Sequence, residues 1–278
     1  MNRIEQRFAE MRGRGGKGLM PFVTAGDPSL STTARVLEAV DAAGAVVAEV
    51  GIPFSDPIAD GPVIQASMTR ALEKGITLQD TFDMVRGLRG KVGLGLVAMV
   101  SYSLVFRYGP RKFAQDAAEA GFDGLIVPDL PSEEAEAMVG IARSAGLTMS
   151  LLVSPQTSAE RAAEIARLCS GFVYVLSRAG VTGERSDVPA DLADRLAMLR
   201  GVSDLPMAVG FGVSTAEQAA MVGKVADAVI VGSALVKRVH EAAAAGGGEG
   251  GGDAAVAAAS EFVGELQGGL AGVAAAGR

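Results

Sequence analysis

The stretch Ala48–Gln65, AEVGIPFSDPIADGPVIQ, samples the pattern on which the whole chain is built. It lies at the end of an apolar run, Ala45–Val50, that reads as a buried strand carrying one carboxylate, Glu49. Gly51, Pro53 and Pro57 then stop regular structure. Two further carboxylates, Asp56 and Asp60, fall in that broken segment, and Val63–Glu73 reads as a helix. A strand that delivers one acid beside a rigid loop holding another suits acid–base chemistry. It is equally compatible with two solvated turn aspartates, since Asp favours turns for local reasons.

The strand, loop and helix recur along the chain. Ile4, Phe8 and Met11 at helical spacing predict an amphipathic N-terminal helix over 2–12. Apolar strands are expected at Leu19–Thr24, Ala45–Val50, Gly93–Ser101, Gly124–Val127, Thr148–Val153, Phe172–Leu176, Met207–Val209 and Ala228–Val231. A helical pattern follows each. Strands separated by helices imply parallel pairing with right-handed crossovers. Eight such units predict an α/β protein, a closed (β/α)8 TIM barrel of roughly 250 residues. An open doubly wound sheet is the alternative, but no GxGxxG follows the first strand. The expected organisation is one barrel domain over 1–278. Within it, GGGEGGG (Gly246–Gly252) reads as a flexible spacer. A last helix follows at Ala254–Leu266, with Phe262 and Leu266 on one face, and residues 267–278 are expected to fray.

Composition narrows the function. The chain has 278 residues, 49% hydrophobic and 21% charged, enough for a sizeable core. A formal charge of −7 argues against a nucleic-acid footprint. Cys169 is the only cysteine and His240 the only histidine, which excludes an internal disulfide and metal sites built on several imidazoles or thiolates. No metal is expected. The N-terminus lacks the apolar core of a signal peptide, and Val92–Phe106 is too short for an ordinary membrane helix, so a cytoplasmic protein is expected.

In a barrel the active site lies at the C-terminal ends of the strands. Three glycine clusters fall there: Thr182-Gly183 after strand six, Gly210-Phe211-Gly212 after strand seven and Gly232-Ser233 after strand eight. Glycines let backbone N–H groups approach an anion, and Ser233 is expected to cap a helix whose N-terminus favours phosphate. Helix starts need glycine in any case. Their coincidence at matching strand ends favours a phosphate ligand.

The segments PFVTAGDP (Pro21–Pro28), EVGIPFSDPIADGP (Glu49–Pro62), LSRAGVTG (Leu176–Gly183), GFG (Gly210–Gly212) and GSA (Gly232–Ala234) resemble, in order, the successive signatures of the tryptophan synthase α-subunit family. The second and third are specific. The last two recur in other phosphate-binding barrels. The resemblance implies retro-aldol cleavage of indole-3-glycerol phosphate to indole and glyceraldehyde 3-phosphate, a step of tryptophan biosynthesis. It implies Glu49, Asp60 and Tyr174 as catalytic residues, and Phe22, Ile64, Ile126, Thr182 and Ile230 as the substrate pocket. It assigns the phosphate to Gly183, Gly210, Phe211, Gly212, Gly232 and Ser233. It implies a β-subunit partner in an α2β2 tetramer, with pyridoxal phosphate on that partner and no cofactor on this chain. Phe54, Asp56 and Pro57, in a loop rich in proline and apolar groups, are the expected interface. The segment Arg178–Asp187, with Gly180 and Gly183 as hinges, is expected to act as a lid.

Two carboxylates suit that reaction. The indole leaves as a carbon acid, so C3 must gain a proton while the glycerol hydroxyl loses one. Glu49 at an apolar strand end suits the proton-shuttling role, because desolvation raises a carboxyl pKa. Asp60, in a polar loop, suits an ionised partner for the ring N–H. No expected strand end carries lysine, which argues against a Schiff-base aldolase. The chain departs from the family at Tyr102-Ser103-Leu104, where an Asn-Pro pair is frequent, and at the glycine spacer. A ligand-binding regulatory subunit without turnover remains the reading from another class.

Overall fold

The computed structural model describes residues 2–57, 60–177, 190–248 and 250–276. Its strands are β1 (Gly18–Thr24), β2 (Val47–Gly51), β3 (Gly95–Met99), β4 (Gly124–Ile126), β5 (Thr148–Ser150), β6 (Leu152–Val153), β7 (Val173–Leu176), β8 (Met207–Gly210) and β9 (Ala228–Val231). The helices are α1 (Arg3–Gly13), α2 (Leu30–Ala42), α3 (Pro62–Glu73), α4 (Leu78–Leu88), α5 (Tyr102–Tyr108), α6 (Pro110–Ala120), α7 (Ala135–Ser144), α8 (Ala159–Leu168), α9 (Ala190–Arg200), α10 (Ala216–Gly223), α11 (Ser233–Gly246) and α12 (Gly250–Ala276).

Every strand pairing is parallel, and the order is β5-β4-β3-β2-β1-β9-β8-β7-β6. The two outermost strands follow one another in the chain, so the ring is joined covalently through Leu151. The strand expected over Thr148–Val153 is thus broken in two. Its cause is a tertiary contact: the Leu151 N–H donates to the Cys169 Sγ at 3.2 Å rather than to a strand carbonyl. The eight-fold barrel expectation holds, with its fifth position split.

Side-chain alternation divides the core into two layers. Leu19, Val23, Ala48 and Val50 face outward into the sheet–helix layer. Met20, Val47, Val97, Ile126, Tyr174, Ala208 and Ile230 face the lumen. Glu49 has the parity of Val47 and therefore points into the lumen. α1 closes the opposite end: Ile4, Phe8 and Met11 join the lumen cluster, as their spacing predicts. Gly95 at the start of β3 leaves the room, since a Cβ there would stand 2.6 Å from the Ile4 side chain.

Three expectations change. The spacer over 246–252 is helical at both ends, because α11 runs to Gly246 and α12 starts at Gly250. Gly246 and Gly251 serve close packing, a Cβ on Gly251 standing 2.5 Å from the Ala243 carbonyl oxygen, whereas Gly247 and Gly248 adopt positive φ in open space between the helices. The tail expected to fray over 267–278 instead continues α12 to Ala276 and buries Leu270, while Gly269 lies against the Ala216 backbone. Phe262 and Leu266 are fully buried, as expected. The stretch after β3 adds a helix, α5, whose N-cap Ser101 accepts a hydrogen bond from the Ser103 N–H.

Candidate active site

Glu49 sits in mid-β2, in register with Phe22 of β1 and Val97 of β3, and is 1% exposed. Its Oε1 has no hydrogen-bond partner among the described residues. A carboxylate without water or a donor is costly, so the neutral acid is favoured. Burial, reinforced by the charge of Asp60, raises the Glu49 pKa to about 8. Tyr174 of β7 is also buried in the lumen. Burial first, and then the charges of Glu49 and Asp60, hold its phenol well above the ordinary value. These three expected catalytic residues therefore share one electrostatic environment.

Asp60 is half-buried, just before α3. Its backbone is fixed: its N–H donates to the Pro57 carbonyl at 3.0 Å, and its own carbonyl accepts from Gln65 Nε2 at 2.9 Å. Burial, with a further contribution from Asp129, raises its pKa to about 6. The polar surroundings expected for Asp60 are therefore drier than the sequence suggests, although the group still ionises below neutral pH, as its expected role requires. The order of the two acids is as expected, with Glu49 the one more strongly held neutral.

Phe22 and Ile64 come together with Met68 and Val236 in a small cluster. Ile126 and Ile230 lie deeper, in the lumen cluster with Tyr174. Met99, the last residue of β3, packs against both clusters and also lines the cavity beside Asp60. That cleft holds about 390 Å³ of empty space, open solvent at its mouth included, and its walls include Ile52, Phe54, Pro57, Met99 and Pro128. Phe54, Asp56 and Pro57 thus stand at the mouth beside Asp60, with Asp56 exposed and the other two half-buried. Asp129, also in the wall, accepts from the Ser101 hydroxyl and the Tyr102 N–H, each at 2.7 Å. Sequence reasoning singled out neither Met99 nor Asp129. Their signal was position alone: one ends a strand, the other is the first acid beyond one.

On the other side of the mouth, Gly210 ends β8, Phe211 and Gly212 follow, and Gly232 follows β9. The Ser177 hydroxyl and N–H both donate to the Gly210 carbonyl, at 2.9 and 3.1 Å, tying the ends of β7 and β8. The Phe211 ring belongs to the sheet–helix layer. The N-cap of α11 is Gly232, with no side-chain cap, and Ser233 is the first helical residue. Ser233 is therefore not the cap that the sequence suggested. A helix start of this kind suits an anion. Thr182, Gly183 and the lid expected over Arg178–Asp187 lie outside the described residues. Among the described residues no group of three His, Cys, Asp or Glu side chains is arranged to hold a metal ion. No described helix is long and apolar enough to cross a membrane.

A family model described as tryptophan synthase alpha chain matches residues 8–262. The tryptophan synthase alpha chain of Citrifermentans bemidjiense is 50% identical over 237 residues, covering 85% of this chain and 89% of the relative. That of Rhodopirellula baltica is 47% identical over 245 residues, covering 87% and 88%. Among solved structures, tryptophan synthase of Mycobacterium tuberculosis superposes with a TM-score of 0.86 at 33% identity, covering 97% of this chain and 98% of the other. Tryptophan synthase subunit alpha of Legionella pneumophila superposes with a TM-score of 0.86 at 36% identity, covering 98% and 99%.

Burial of Glu49 has a consequence for stability. Its pKa rises on folding from 4.5 to about 8. The folded state binds this proton more tightly than the unfolded state, so the contribution is fully present below pH 4.5 and is lost by about pH 8. At roughly 1.4 kcal/mol per pKa unit the loss is of order 4–5 kcal/mol. Urea unfolding between pH 5 and 9 should show the wild type losing stability relative to Glu49→Gln. Parallel curves would place Glu49 in a solvated environment.

Proposed function

The chain belongs to the tryptophan synthase alpha chain family, and on that premise we propose that Glu49, Asp60 and Tyr174 divide the chemistry of its reaction. The protein is a lyase: it cleaves indole-3-glycerol phosphate, in the pathway that makes tryptophan. The observation that carries the assignment of roles is Glu49, buried in the lumen with an unpartnered oxygen and favoured as the neutral acid.

The retro-aldol step needs two proton movements. Neutral Glu49 donates to C3 of the indole, which leaves a cation centred on the ring nitrogen. The Glu49 carboxylate so formed takes the proton of the glycerol hydroxyl as the carbon–carbon bond breaks. The bond electrons return to the ring, indole departs, and the aldehyde of glyceraldehyde 3-phosphate forms. Glu49 ends as it began, protonated. Asp60, ionised above about pH 6, accepts the ring N–H and stabilises the cation, as oriented charge does in a partly dry site. Tyr174, neutral throughout, lines the ring site beside them. Phe22, Ile64, Ile126 and Ile230 supply its apolar walls. The phosphate is read onto the backbone of Gly210, Phe211, Gly212, Gly232 and Ser233 at the start of α11, where the helix dipole favours it. By sequence alone, Gly183 joins the phosphate set and Thr182 the substrate pocket.

The alpha chain implies a beta partner. We read Phe54, Asp56 and Pro57 as part of the surface that meets it, in an α2β2 assembly in the cytoplasm, with pyridoxal phosphate on the beta chain. The cavity walled by Phe54, Pro57 and Met99 gives a small apolar product an apolar path toward that surface.

Two measurements test this reading. General acid–base catalysis is worth roughly 10²–10⁴ in rate. Glu49→Gln should lower indole release by at least that factor with the fold intact. Asp60→Asn should lose most turnover while still binding glycerol 3-phosphate. In the wild type, kcat/KM should be bell-shaped, with limbs near 6 and 8. Near-normal turnover by Glu49→Gln would sink the mechanism. Separately, the purified chain should be a slow lyase that the beta subunit accelerates. Asp56→Ala should reduce that acceleration relative to its own unstimulated rate. A lyase rate indifferent to the beta subunit would overturn the partner assignment.

A further inference from the structure

α3 carries more polar anchoring than its packing needs, and one stripe of it runs to the end of β1 and the loop that follows. The Thr24 and Ser67 hydroxyls lie 2.6 Å apart, both buried. Ser67 passes its proton to the Ile64 carbonyl at 2.7 Å, so Thr24 is the donor to Ser67. One turn further along, Arg70 grips the Asp27 carboxylate with two nitrogens, Nε to Oδ1 at 3.0 Å and Nη2 to Oδ2 at 2.6 Å. The Asp27 side chain is 3% exposed and that of Arg70 26%. Near the end of the helix, Lys74 Nζ donates to the Pro28 carbonyl. Ser67, Arg70 and Lys74 recur at helical spacing, so one stripe of α3 is clamped to one loop.

The other end of α3 bears on the chemistry. Asp60 lies two residues before the first residue of the helix. Gln65, in the first turns, donates from its side chain to the carbonyls of both Asp60 and Pro57. The position of the Asp60 carboxylate is therefore set by how α3 sits on the barrel. A forked, largely buried ion pair contributes little net stability, because desolvation offsets most of the attraction. What it does well is fix a geometry, since the planar guanidinium accepts only one orientation of the carboxylate.

We propose that Asp27 and Arg70 are positioning residues for the lyase reaction: their paired side chains hold α3 in the register that aims Asp60 at the ring nitrogen of the substrate. This rests on the role given above to Asp60. It predicts a division of effects. The phosphate cradle belongs to β8, β9 and α11, whereas the Asp27–Arg70 hydrogen bonds join α3 to the loop after β1, and α3 meets α11 through the apolar side chains of Ile64, Met68 and Val236. Breaking the clamp therefore harms turnover and leaves phosphate affinity alone. Displacement of a catalytic group by about 1 Å costs up to about 100-fold in rate.

The experiment compares wild type, Arg70→Lys, Arg70→Met and Asp27→Asn, with Asp60→Asn beside them. Indole release gives kcat, titration of glycerol 3-phosphate gives phosphate affinity, and urea unfolding gives stability. Arg70→Met should lower kcat about 10- to 100-fold, with glycerol 3-phosphate affinity within about twofold of wild type. Arg70→Lys keeps the charge but not the fork, and should fall between the two. The double variant Asp27→Asn/Arg70→Met should be no slower than the worse single one, because both remove the same contact. If Arg70→Met and Arg70→Lys both turn over within about twofold of wild type while Asp60→Asn is inactive, the clamp does not position Asp60. Loss of turnover and phosphate affinity together, tracking stability, would mark the pair as merely structural. An active Asp60→Asn would instead remove the role on which the proposal stands.

Discussion

A carboxyl group on the inner face of a closed parallel barrel has no solvent and few donors within reach. Glu49 is in that position by parity alone, because it is two residues from Val47 on the same face of β2. The rest of the site follows from this. The acid is held neutral near physiological pH, it can give a proton to carbon, and the carboxylate left behind is a strong enough base to take one back. A barrel that exposed Glu49 would keep the same residues and lose the property that makes them useful. The plug formed by Ile4, Phe8 and Met11 helps to maintain it, since it closes the far end of the lumen to water.

Asp60 is arranged on the opposite plan. It belongs to a loop, it is half-buried, and its pKa lies below that of Glu49. Two acids that must hold different charges at one pH need different surroundings, and here one is fixed by a strand and the other by a helix start. The strand position tolerates no adjustment. The helix start does, and its anchors to the loop after β1 (Thr24 with Ser67, Asp27 with Arg70) limit that freedom. The glycines read as the phosphate cradle sit on a third support, the β8 and β9 ends and the start of α11, so the proposed phosphate site and the placement of the acids rest on different elements.

Much of this was legible in the chain. The strands read correctly because they are buried on both faces and appear as continuous apolar runs. Their helices read correctly because they are amphipathic. Glu49 stood out as a charge inside such a run. The break at Leu151 was not legible, since it depends on a sulfur brought there by a later segment. The glycines at 246–252 misled for a related reason. Composition suggests flexibility, whereas Gly251 is small because α11 passes close beside it, a fact that exists only in three dimensions. Leu270 is buried because α10 lies beneath it, and no local pattern reports that. At the site, the raised pKa of Asp60 was missed because its causes, burial and Asp129 of another loop, are tertiary. The cap of α11 was misplaced by one residue, from Gly232 to Ser233, an error typical of helix boundaries.

Burial and the unpartnered oxygen make Glu49 a neutral acid at pH 7. Infrared difference spectroscopy tests it directly, by subtracting the Glu49→Gln spectrum from that of the wild type. At pH 7 the difference should contain the carbonyl stretch of a protonated carboxyl in a dry environment, and that band should fade as the pH passes about 8. A difference spectrum at pH 7 with no such band, and with carboxylate stretches in its place, would show Glu49 already ionised and would contradict the account.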